Sequence, residues 1–260
     1  MTAAESPAGL APVSPPGKSR EPRVWKFFGT SLWGLVLFGA MFAGQFTVVL
    51  WFLVTSGEAI DSTAMVSLLS NGRIISLSVV MGLPAILIVL WIATRLSRTP
   101  FSDYLALHWP SWKMLIAGIA SLVALMMVWE VISRLAGRES SPGFMMEVLK
   151  TARADGALWL LVIAFCVVAP ITEEFFARGF LYRGWSETFL RPAGAILLSS
   201  AVWTMMHLQY NWFFLAQVFS IGLLLGYLRY RSNSTWLTVI LHGINNLAAT
   251  IQTVWLANNS

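Results

Sequence analysis

From residue 30 onward the chain is a series of long apolar runs, each bounded by polar or basic residues. About 20 apolar residues cross a bilayer as a helix. By that measure seven spans are predicted, over 30–54, 74–94, 114–132, 157–180, 193–209, 212–229 and 234–256. The expected fold class is all-α, a polytopic transmembrane helical bundle of about seven spans, with roughly six to eight as the range. A tight link at Gln209-Tyr210-Asn211 joins the fifth and sixth spans. The segment 142–155 mixes apolar and charged residues and reads as an amphipathic helix lying on the membrane. Residues 1–24 are rich in Pro, Ala and Ser and lack an apolar stretch of signal-peptide type, so a disordered cytoplasmic tail is expected there. Residues 25–156 then form N-terminal transmembrane helices and loops, and 157–260 a second group of transmembrane helices.

Composition agrees with this pattern. Hydrophobic residues make up 57% of the chain and charged residues 11%, against about 25% charged in an ordinary soluble domain. Tryptophans such as Trp51, Trp91, Trp112 and Trp159 fall near the ends of apolar runs, where a half-wet ring suits the headgroup level. The net charge of +5 does not point to nucleic acid, because the basic residues flank apolar spans and form no continuous patch. They orient the chain instead. With a cytoplasmic N-terminus the inner side collects 12 basic residues, Lys18, Arg20, Arg23, Lys26, Arg95, Arg98, Lys113, Arg178, Arg183, Arg191, Arg229 and Arg231. The outer side collects 5, Arg73, Arg134, Arg138, Lys150 and Arg153. An integral, multi-pass protein of a bacterial inner membrane is the expected setting. The lone Cys166 reads as a small apolar-run residue, and Gly222 and Gly226 as a small-residue pair for packing within the chain.

Ionisable groups inside apolar spans are costly and mark chemistry. Glu173 and Glu174 lie in the fourth span, His207 in the fifth and His242 in the seventh. Glu130 ends the third span at the interface, and His108 sits in a loop. Pro170 loosens the fourth helix just before the acids. Adjacent residues point about 100° apart on a helix, so the two carboxylates have different partners. Arg178 follows Glu174 by four residues and suits an ion pair, leaving Glu173 for water or substrate. As an isolated feature such a pair is structural, and each histidine alone reads as a satisfied core residue. Trp203 and His207 share one helical face, as do His242 and Asn246. Imidazole and carboxamide together can hold the oxyanion formed when water attacks an amide. Two Glu, two His and one Asn from three spans therefore point to peptide hydrolysis.

Glu173-Glu174-x-x-x-Arg178, Trp203-x-x-x-His207 and His242-x-x-x-Asn246 occur in this order. Residues 157–256 thereby resemble the CPBP family, the CAAX prenyl endopeptidase and bacteriocin-processing (Abi) membrane proteins. The stretch EEFFARGFLYR is the most specific part, and Trp203 departs from the family's usual Phe. The resemblance implies an intramembrane endopeptidase in which 157–260 is the catalytic core. It implies Glu173 as the base that activates water, helped by His207. It also implies His242 and Asn246 as the oxyanion hole, and Glu174 and Arg178 as supports. Helix rise places His207 deeper than His242 from the inner surface, so the fifth helix must tilt or start later; a site in the inner half of the membrane is expected.

The implied substrate is a membrane-associated peptide or protein, prenylated or not, and the implied partner is the lipid bilayer. Nucleic acid is not expected, and the sequence does not speak to oligomeric state. No cofactor or metal is expected. Zinc is the alternative, since His and Glu can ligate it, but there is no His-Glu-x-x-His. A non-catalytic scaffold or immunity protein of the same fold is a second alternative. A proton-coupled transporter using Glu173 is a third, and it lacks recognisable inverted halves.

Overall fold

The computed structural model describes residues 21–56, 62–138, 141 and 143–259; most of the expected N-terminal tail lies outside them. All regular structure among these residues is helical. α1 (Phe27–Ser56), α2 (Ser62–Ser70), α3 (Gly72–Ser97), α4 (Phe101–Tyr104), α5 (Trp112–Leu135) and α6 (Gly143–Ala154) come first. A continuous α7 (Leu158–Ser186) follows, then α8 (Arg191–Met205), α9 (Trp212–Ser232) and α10 (Thr235–Asn259). The expected all-α membrane bundle is what the chain forms. Five helices, α1, α3, α5, α7 and α9, are long and apolar enough to cross a membrane. α10 has the length, but its polar residues dilute its hydropathy.

The bundle's outer face is apolar. Leu32, Leu35, Phe46, Ile88, Met127 and Ile251 are exposed, and no soluble fold leaves such a surface in water. Exposed Trp51, Trp159, Trp212 and Trp255 ring one end, and Trp109 and Trp112 stand at the other. α1 and α3 pack antiparallel: Trp25 Nε1 donates to the Ala93 carbonyl at one end, while Val48 and Val49 meet Ile74 at the other. Gly222 and Gly226 let α9 close on α8, against Ser200, Trp203 and Ile196, so that pair serves packing within the chain. At the end carrying the α1 N-terminus, Tyr104 is buried under Trp25, and burial pushes its phenol above the ordinary tyrosine range.

Several expectations shift. The amphipathic segment is a helix, α6, but Val148, Leu149 and Ala152 face the protein rather than lipid. Thr151 Oγ1 accepts from the Gly72 N–H at 2.8 Å, and Arg153 donates to Asn258. α6 thus roofs the bundle at the end opposite the α1 N-terminus. Arg178 and Arg229, counted above as inner-side charges, are buried. Arg229 donates to Thr235 Oγ1 and Asn233 Oδ1 at 3.0 Å each, and clamps the α9–α10 turn. Without these two the basic count is 10 against 5.

The fifth span is the largest change. α8 has 15 residues, which at 1.5 Å each reach only about 22 Å, short of the roughly 30 Å hydrocarbon core. It stops because the chain tightens into a turn: Met206 N–H bonds the Trp203 carbonyl and His207 N–H the Thr204 carbonyl. Asn211 Oδ1 then accepts from the N–H groups of Phe213 and Phe214 and starts α9. His207 therefore lies in a turn inside the bundle, beyond the end of α8.

Candidate active site

α7 is irregular around Glu173 and Glu174. It is π-helical over Ala164–Val168 and again over Phe175–Leu181, on either side of the two acids. Such widened turns are frequent at functional sites. In the first, the Ala169 N–H reaches back five residues to the Ala164 carbonyl. The same reach from Phe165 ends on Pro170, which has no N–H. The Phe165 carbonyl is thus left over within the bilayer, where it needs a partner. Asn246 Nδ2 supplies one at 2.8 Å. α10 comes this close because residue 243 is glycine: a Cβ there would lie 2.7 Å from the Cys166 carbonyl oxygen. One irregular turn of α7 and one glycine of α10 together fix Asn246.

Glu173 and Glu174 diverge as helix geometry requires. Glu174 is fully buried; its Oε1 accepts from Arg178 Nη1 at 2.8 Å and from His242 Nδ1 at 3.0 Å. Arg178 Nη2 donates to the Gly222 carbonyl at 3.1 Å, and the guanidinium lies 4.5 Å over the Trp203 ring. The expected Glu174–Arg178 pair is therefore present, and it also holds His242. Glu173 points into a cavity and stays 17% exposed. Trp203 Nε1 donates to Glu173 Oε2 at 2.6 Å, and His207 Nε2 is 4.0 Å from the same oxygen.

The histidine tautomers follow from their partners. His207 Nδ1 is 3.1 Å from the Trp203 carbonyl, which can only accept, so Nδ1 carries a proton. In the neutral ring Nε2 then presents its lone pair toward Glu173. His242 Nδ1 faces a carboxylate and likewise carries a proton. Both rings meet Trp203 edge to face, at 5.0 and 5.3 Å. Trp203 is thus the centre of the cluster: it touches Glu173, both histidines and Arg178.

Glu173, His207, His242 and Asn246 all line one cavity of about 360 Å³, with Glu174 and Arg178 sealed behind it. His108 is exposed at the far end of the bundle, where only its carbonyl is used, by Ser234 Oγ. Glu130 pairs with exposed Arg134. Glu173 is about midway along α7, and the walls continue through Ile75, Phe144, Phe165 and Thr253 toward α2 and α6. Among the described residues no group of three or more His, Cys, Asp or Glu is arranged to hold a metal ion. The hydrogen bonds of Trp203 and Asn246 were not foreseen from sequence. A tryptophan where the resembling family has Phe was the only signal for the first, and Pro170 for the second.

Residues 155–248 match the family model described as type II CAAX prenyl endopeptidase Rce1-like. That stretch contains every site residue above. This part of the chain is similar to an Rce1-like domain, consistent with the resemblance to the CPBP family of membrane proteases. No curated protein and no solved structure matches the chain.

Proposed function

We propose that the protein is an intramembrane endopeptidase that hydrolyses peptide bonds of membrane-associated substrates, with Glu173 as general base. The observation that carries this reading is the convergence of Glu173, His207, His242 and Asn246 on one cavity. With 4.0 Å between Glu173 Oε2 and His207 Nε2, a water about 2.8 Å from both would subtend roughly 90°, close to its own bond angle. Glu173 takes one proton as the water oxygen attacks the peptide carbonyl carbon. The oxyanion is met by the second Nδ2 hydrogen of Asn246, the first being used on Phe165. His242, held at Nδ1 by the Glu174 carboxylate, lines the same cavity and completes the oxyanion site. Collapse breaks the C–N bond, and Glu173 returns the proton to the departing amine.

The basic helix ends make the α1 N-terminal side cytoplasmic in this proposal. The cavity walls run toward the other end, so the substrate peptide comes from the outer part of the bilayer. That favours a general membrane peptide over a cytoplasmic prenylated C-terminus. The test is cleavage of a panel of membrane-tethered peptides by the purified protein, with and without a strong chelator. Cleavage that survives the chelator is expected. Loss that returns on adding zinc supports a metallopeptidase, and no cleavage of any peptide supports a scaffold.

A further inference from the structure

A second cavity, of about 410 Å³, lies between α5, α9 and α10 on the lipid side of the bundle. Its rim is Val123, Met127 and Ile244, all exposed. Five residues, Met126, Gln217, Asn245, Ala249 and Gln252, line both this cavity and the one holding Glu173. The groove therefore backs onto the catalytic cavity through a single layer of side chains. It exists because α5 is held at two separate places. Gly118 lets α5 press on Leu241 of α10, where a Cβ would lie 2.7 Å from a leucine methyl. Trp129 Nε1 then donates to Ser220 Oγ of α9 at 2.7 Å. Between these contacts α5 stands away from α10.

The shared wall has unusual chemistry. Three of its five residues are carboxamides, Gln217 on α9 and Asn245 and Gln252 on α10. Polar groups at this depth are expensive unless they are used. Asn245 donates to Asn246 Oδ1 at 3.2 Å, while its own Oδ1 is buried without a hydrogen-bond partner. A carboxamide both donates and accepts, as a peptide group does. Asn245 and Gln252 lie seven residues apart on one face of α10, about 10.5 Å along its axis. That is the length of about three residues of extended chain. A helix satisfies its own peptide groups and offers none to such a wall. An extended segment in hydrocarbon has unpaired N–H and C=O groups and needs partners of this kind.

We propose that the α5–α9–α10 groove is a lateral portal for substrate. Through it an extended segment of a membrane-spanning polypeptide reaches Glu173, its peptide groups held by Gln217, Asn245 and Gln252. The proposal rests on the peptidase reading and adds the route and the conformation of the substrate.

Ala248 provides the test, because it lines the groove but not the catalytic cavity and faces lipid. The full chain is reconstituted in vesicles and given two substrates with one scissile sequence, a single-span peptide embedded in the bilayer and a short water-soluble peptide. Ala248→Trp should slow cleavage of the embedded peptide at least about tenfold, with the soluble peptide changed less than about twofold. Ile88→Trp, on the exposed face of α3, should change neither. Gln252→Leu should raise KM for the embedded peptide by about 2- to 10-fold, the worth of one hydrogen bond. Wild-type cleavage of the embedded peptide by Ala248→Trp overturns the portal, and so does an equal loss on both substrates. If the wild-type protein cleaves neither peptide, the peptidase reading fails and the portal with it.

Discussion

Arg178→Met isolates the support behind the site. The wild-type guanidinium makes a 2.8 Å ion pair with Glu174, a 3.1 Å hydrogen bond to the Gly222 carbonyl and a 4.5 Å contact over Trp203. Both partners of the pair are fully buried, so no solvent screening discounts it. Removing one member of such a pair leaves a carboxylate whose remaining hydrogen bond is to His242, at a cost of about 3–5 kcal/mol. At roughly 2–4 °C per kcal/mol for a chain of this size, the unfolding midpoint should fall by about 6–20 °C. The assay is thermal unfolding of the purified protein in detergent, followed by tryptophan fluorescence. The double variant Glu174→Gln/Arg178→Met removes the stranded charge and should regain at least about half of the loss, because breaking a buried pair costs more than replacing it. Arg178 Nε is itself buried without a hydrogen-bond partner, so the native pair is not an optimum for stability. A single variant within about 2 °C of wild type, or a double variant less stable than the single, refutes this reasoning.

Trp203→Phe keeps the ring against Arg178 and the histidines but removes the 2.6 Å hydrogen bond to Glu173; kcat should drop about 10-fold or somewhat more, the worth of a hydrogen bond to a charged group, with little change in KM. An unchanged kcat argues against that bond. Gly243→Ala puts a methyl 2.7 Å from the Cys166 carbonyl oxygen and should cost about 1–3 kcal/mol by overpacking. Turnover should fall up to about 10²-fold as His242 and Asn246 are displaced, which parallel melting and kinetic measurements check. With Cys166, the sole cysteine, replaced by Ala, a cysteine at Lys150 should react with an impermeant thiol reagent in whole cells, and one at Lys113 only after lysis; the reverse pattern inverts the proposed orientation.

Helical spacing made part of this site legible in the sequence. Glu174 with Arg178 and His242 with Asn246 are four-residue pairs, and each does project from one face of its helix. Apolar run length sufficed for α1, α3, α5, α7 and α9. It misled over α8, because apolarity continues through His207 while the backbone has already turned. Trp203's bond to Glu173 and Asn246's bond to the Phe165 carbonyl join residues 30 and 81 apart in sequence, on different helices. Neither can be read from one helix's periodicity, and the second depends on a π-helical turn that no periodicity announces. Arg229 looks like a headgroup-facing charge by position, yet Thr235 and Asn233 draw it inward. Gln217, Asn245 and Gln252 are inconspicuous as single polar residues and acquire meaning only when the fold puts them on one wall.

The central claim is that the Glu173 carboxylate activates water. Glu173→Gln preserves the side chain's size and lets its amide oxygen still accept from Trp203 Nε1, while removing the base. The decisive measurement is single-turnover cleavage of a membrane-tethered peptide by this variant and by wild type, in the same vesicles and at matched unfolding temperature. The account predicts a rate lower by about 10² to 10⁴ for loss of a general base, with folding intact because a carboxamide is cheaper to bury than a charge. Cleavage by Glu173→Gln at the wild-type rate contradicts it.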